Sequence, residues 1–287
     1  MKSKKSRCVY VVAITILLAG VSLYHYGSRE NDASEQKKTS LTLKHTPEDK
    51  PSVYILKSAF QLLNQNFDYD LEKTNRIKNI VLELKKQGEI NEYNKLERLL
   101  VQYEKNSATN SYEQPKLDFV GTWFEVYNLV ESEKYEEAIR LSREDPYALT
   151  KIAIHMTENG KNTQKARELL GSAFSQIEKG SKNAYYLTSF VVEGYNKLGD
   201  FDKSYQIIES SDLDNIRGHY TLPVIEHYVA KQDVDRAFFL VSLSWPEVSQ
   251  ADGLLVIARN YDNSIPLKKE QKDILREMLS NHFSQRQ

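Results

Sequence analysis

The stretch 183–211 constrains the fold of this chain more than any other. It reads as helix, tight turn, helix. Between Ala184 and Leu198, apolar residues at Leu187, Val191, Val192, Tyr195 and Leu198 recur at helical spacing and fall on one face. Gly199 then supplies a residue that tolerates positive φ, and Asp200 is expected to cap the next helix. Phe201, Ser204, Tyr205, Ile207 and Ile208 give that second helix a stripe of its own. Neither helix alone hides its stripe from water, so the hairpin needs neighbours on both sides.

The remainder of the chain can supply them. Its 287 residues allow one large domain or two small ones, and a hydrophobic share of 40% with 10% aromatics argues against wholesale disorder. Only 11 glycines and 7 prolines occur, too few for a turn-rich sandwich or barrel. The formal charge of −1 provides no basic field for nucleic acid, and basic residues are interleaved with acidic ones. The lone cysteine, Cys8, precedes the folded body, so no internal disulfide forms there.

Lys2, Lys4, Lys5 and Arg7 stand before an uncharged run, 8–26. A basic flank (1–7) followed by about 19 apolar residues reads as a transmembrane anchor with the amino end in the cytoplasm. The rival reading is a signal peptide cleaved near Gly20, Val21 and Ser22. Both send the body to the far side of the membrane, the periplasmic side if the source is bacterial. Residues 27–50 are rich in Ser, Thr, Lys, Glu and Asp and read as a flexible linker.

A helical block spans 51–104. Its first helix carries Val53, Leu56, Ala59, Phe60 and Leu63; a hairpin then turns at Gly88, with Ile77, Ile80, Val81 and Leu84 before it and Tyr93, Leu96, Leu99 and Leu100 after it. Residues 105–117 read as a loop. From 118 to 287 four hairpins superpose on the small residue of their second helix: Ala138, Ala166, Ser204 and Ala237. Sixteen positions earlier stand Thr122, Thr150, Thr188 and Thr221; twelve earlier stand Val126, Ile154, Val192 and Ile225; nine earlier stand Leu129, Thr157, Tyr195 and Tyr228. A last pair, 248–261 and 268–283, is expected to close the array, its charged final helix forming the cap.

The segment Tyr195-Asn196-Lys197-Leu198-Gly199-Asp200-Phe201-Asp202-Lys203-Ser204 resembles the tetratricopeptide-repeat superfamily, with its tyrosine, Leu-Gly-Asp turn and small second-helix residue. Tyr228 to Ala237 repeats the pattern without the glycine, and Glu133 to Ala138 is a weaker copy. Where Val126, Ile154, Val192 and Ile225 stand the superfamily favours a small residue, so this is a degenerate set of repeats. The resemblance implies an all-α fold: an α-solenoid of stacked antiparallel hairpins, here preceded by one membrane helix. It also implies a concave protein-binding face, which maps onto Trp123, Tyr127, Lys151, His155, Tyr186, Glu193, Asn196, His219 and Glu226.

Catalytic signatures are missing from the sequence. There is no phosphate-cradling glycine loop, nucleophile elbow or Cys/His pair. His219 and His227 are eight apart and lack the third ligand and i/i+4 spacing of a zinc helix. The expectation is therefore a non-enzymatic, membrane-tethered scaffold that binds another envelope or membrane protein, or a peptide segment, without cofactor or metal. The alternatives are an assembly factor acting through its convex face or termini, and an enzyme with a site between helices.

Overall fold

A computed structural model of the chain describes residues 43–65, 71–106, 123–177, 183–211 and 216–284. The apolar run 8–26 lies outside them, as does most of the expected linker and of the loop 105–117. No helix among the described residues is long and apolar enough to cross a membrane.

The described chain is all-α. Its helices are α1 (Pro51–Gln65), α2 (Leu71–Lys86), α3 (Ile90–Asn106), α4 (Trp123–Glu131), α5 (Tyr135–Leu141), α6 (Pro146–Glu158) and α7 (Thr163–Gln176). There follow α8 (Ala184–Lys197), α9 (Phe201–Ser210), α10 (Gly218–Ala230), α11 (Val234–Leu243), α12 (Glu247–Asn260) and α13 (Lys269–Ser284). The extended backbone assigned among these residues is a two-residue parallel ladder, β1 (Ile216–Arg217) with β2 (Ser244–Trp245).

Five helix pairs turn in the same way. Gly88, Glu133, Gly160, Gly199 and Gln232 hold φ between 58° and 88°. The next residue's N–H returns to the carbonyl five positions back, at Leu84, Leu129, Met156, Tyr195 and Tyr228, over 2.8–3.0 Å. Each left-handed residue also donates to the carbonyl three back. This pairing is the Schellman motif, which satisfies carbonyls that the helix end would otherwise orphan. Glu133 and Gln232 adopt the left-handed conformation without being glycine, at roughly 1–2 kcal/mol each.

These turns correct one register. Ala138, Ala166, Ser204 and Ala237 are each the fourth residue of a second helix and fully buried. Counted from the left-handed residue, three of them follow by five positions, whereas Ala166 follows Gly160 by six. The turn of the α6–α7 hairpin is one residue longer, with the Asn162 side chain accepting the Lys165 N–H at 3.0 Å. The level of Thr188 and Thr221 is therefore held by Leu149, not Thr150. Ala153 replaces Ile154 at the next level, and Met156 replaces Thr157. Thr150 is nonetheless buried, its hydroxyl donating to the Pro146 carbonyl at 2.7 Å. Asp200 departs from expectation too: its side chain makes no cap bond and instead accepts from Arg167 Nε at 3.3 Å.

The first helices α4, α6, α8, α10 and α12 each pack against the next. Close approach between hairpins rests on glycines. A Cβ on Gly194 would overlap Leu170 Cδ2, and one on Gly253 would lie 2.6 Å from Val241 Cγ2. Leu170 and Val241 both stand four residues after their buried anchors, so the same contact recurs in two hairpins.

Where α12 and α13 were expected to close the array, α1 covers α12, and α13 packs on α11 and α1. The expected stripe of α1 is buried, and so are Ile55 and Leu62 on its other side. A helix apolar on so much of its circumference must be enclosed rather than docked by one face. α2 reinforces the junction: Arg76 Nε donates to Asp252, and Arg259 Nε to the buried Glu83, each at 3.2 Å. Residues 43–50, read from composition as tether, lie along α1. Leu43 is buried there, and the side chain of Lys57, 3% exposed, holds Asp49 at 2.8 Å.

Candidate functional site

Three consecutive first helices, α6, α8 and α10, build the candidate site. Their aromatic rings form a chain: Tyr147 meets Phe190 edge-on at 5.1 Å between centroids, and Phe190 meets Tyr220 at 6.3 Å. Lys151 Nζ lies 4.6 Å from the Phe190 centroid, within cation–π range. Asn196 Nδ2 donates to the Tyr220 carbonyl at 2.8 Å, while its Oδ1 is buried with no hydrogen-bond partner among the described residues. Ahead of α10, the Arg217 N–H donates to Tyr185 Oη at 3.0 Å. The Arg217 guanidinium stands 5.7 Å from the Tyr186 ring.

Glu193 sets the local field. Burial pushes the Tyr220 hydroxyl up to about 12, and the Glu193 carboxylate adds to that shift. His219 lies with its ring 3.8 Å from that of Tyr220. Burial holds its pKa below the ordinary value; Glu193 opposes the shift and Arg217 reinforces it. Pro223 has no N–H, so the His219 carbonyl stays outside the i→i−4 ladder of α10. The face thus gathers cations, one carboxylate and aromatic rings. That mixture suits recognition of a polypeptide segment.

Of the nine expected residues, Lys151, Tyr186, Glu193, Asn196 and His219 belong to this cluster. Trp123 and Tyr127 pair edge-on at 5.6 Å on α4, at the end of the row, with Tyr127 45% exposed. His155 departs: its Nδ1 is 3.1 Å from Tyr135 Oη and its Nε2 is 3.4 Å from Glu131, which ties it to the preceding hairpin. Glu226 is exposed on α10, outside the cluster. His227 stacks near Phe201 at 4.8 Å, with its Nε2 3.9 Å from Asp202, so the two histidines of α10 serve different surroundings. Among the described residues no group of three or more His, Cys, Asp or Glu is placed to hold a metal ion.

Tyr147, Tyr185, Phe190, Arg217 and Tyr220 were not among the expected residues. Phe190 and Tyr220 are buried, and Arg217 belongs to the short ladder, which helical counting does not reveal. Against this geometry, no family model, curated protein or solved structure matches the chain.

Proposed function

We propose that the helical body is an α-solenoid scaffold that binds a segment of another protein along the α6–α8–α10 face. The repeated Schellman turns and the ordered packing of first helices support the solenoid reading. The observation that carries the binding reading is the row of unlike groups bridging successive helices: Lys151 over Phe190, Asn196 to Tyr220, and Arg217 over Tyr186. Such a row offers an extended segment both apolar contact and directional bonds. It is a non-catalytic role, with the partner an envelope or membrane protein. The run 8–26, preceded by its lysines and Arg7, is the proposed tether that holds the body outside the cytoplasm.

Photo-crosslinking amino acids at Tyr186 and at Leu141 separate the two faces, since Leu141 is a half-exposed residue of a second helix. Crosslinks from membranes at Tyr186 but not Leu141 are expected; the reverse pattern would transfer the function to the convex side. Replacing Trp123, Tyr127 and Tyr186 with alanine should abolish capture of the same partner by a chain that remains helical. Protease added after permeabilising the outer barrier should digest the body while cytoplasmic markers stay whole.

A further inference from the structure

Away from the row of first helices, a cavity of about 490 Å³ lies where residues 45–51 meet the loop before α13. Sites for small molecules range over about 300–1,000 Å³. One wall is the Tyr54 ring, stacked on His45 at 3.7 Å. Pro47, Pro51 and Pro266 give it an apolar rim. Lys272 and Arg276 line it from α13, one helical turn apart and so on one face.

The charges in this cavity do not cancel. Its carboxylate, Asp49, is already occupied: Oδ1 accepts from Lys57 Nζ and from the Thr46 hydroxyl, both at 2.8 Å, and Oδ2 from the Thr46 N–H at 3.0 Å. Arg276 gives Nη1 to Asp273 at 2.9 Å, leaving its remaining donors uncommitted to that pair. Lys272 Nζ stands 6.0 Å from the Tyr54 ring and has no carboxylate within ion-pairing distance among the described residues. His45 adds a wall, and its burial disfavours the charged imidazolium there. Ser58 spends its hydroxyl hydrogen on the Tyr54 carbonyl at 3.1 Å, so the 3.4 Å contact with His45 Nε2 must be donated by the imidazole.

We propose that this cavity binds a small organic anion, a carboxylate or phosphate on an apolar or aromatic body. The anionic group lies between Lys272 and Arg276, and the body packs against Tyr54 and the prolines. A guanidinium and an ammonium on adjacent turns suit both oxyanions, the guanidinium by paired hydrogen bonds.

The test uses the full chain in zwitterionic detergent at fixed ionic strength, with phenyl phosphate, benzoate and the neutral benzyl alcohol as probes. Both anions should raise the melting temperature and receive saturation transfer on their ring protons; benzyl alcohol should do neither. The double variant Lys272→Gln, Arg276→Gln should remain folded and bind the anions at least tenfold more weakly. Equal behaviour of benzyl alcohol, no response to either anion, or full retention of binding by the folded double variant would each overturn the assignment.

Discussion

At Gly218 a methyl group has nowhere to go. A Cβ there would overlap the Ser249 side chain and approach the Ser249 Cα to 3.1 Å, so Gly218→Ala must push α10 from α12. Overpacking of this kind costs about 1–3 kcal/mol, and each kcal/mol lowers Tm by about 2–4 °C in a body of this size. Gly199→Ala meets no atom within 4 Å and pays only for its φ of 69°, about 1 kcal/mol. Urea titration of the two variants should rank them in that order; equal stability would contradict the α10–α12 packing. Protonation acts at the same scale. Burial first, in each case, holds His45, His219 and His227 below the model-peptide value of 6.5. The unfolded chain therefore takes up protons that the fold refuses, and stability falls as pH drops through that value towards the lower folded pKa values. Bonds from Tyr228 and Lys231 depress the Asp202 carboxylate, and one from Lys268 depresses Asp235. Their contribution is present above the unfolded carboxylate pKa and disappears as pH falls through the folded one. The urea midpoint should thus decline in two stages, below about 6.5 and again below about 4. His219→Asn should shrink only the first.

Helices lose their neighbours at one end of the row. The α4–α5 hairpin packs onward chiefly against α6 among the described elements, and α5 is seven residues long with Ala138 its buried residue. In a quasi-linear stack such a terminal unit opens first. The chain's two tryptophans permit a direct test, one in α4 and one in β2. Fluorescence of Trp123 in a Trp245→Phe background should change at lower urea than that of Trp245 in a Trp123→Phe background. Coincident transitions would mean that the terminal hairpin is locked to the rest. At this scale much was legible beforehand. The stripes of α8 and α9, the glycine turns at 88 and 199, and all four small anchors follow from periodicity and φ preference. The turns at Glu133 and Gln232 carry no glycine to announce their left-handed backbone. In α6 two registers one residue apart both run through apolar residues, so counting back from Ala166 could not choose between Thr150 and Leu149. Five of the nine expected face residues share the cluster, because neighbouring first helices were correctly ordered. The aromatic partners between them were hidden in the core pattern, where a ring that lines a face looks like a ring that fills a core.

Among the described residues, the block 51–104 closes the row at α12. Glu83, with a side chain 8% exposed, holds Arg259 at 3.2 Å and Lys86 at 3.3 Å. Both cations reach solvent, so Glu83→Gln should cost only about 1 kcal/mol in thermal or urea unfolding. Removing the block altogether is different in kind, because α1 covers the face of α12. A chain cut to 118–287 should associate in sedimentation velocity more than the full chain does; a stable monomer would show that α1 is dispensable. The Ser52 N–H donates to Asn263 Oδ1, a bond between residues 211 apart in the chain. At about 5–20 residues per second, a ribosome needs roughly 10–40 s to make the distance between them. For that interval the greasy flanks of α1 have been synthesised and their cover has not. Folding of this body is thus a waiting problem: α1, the first described helix, stays uncovered until the last described pair has been made.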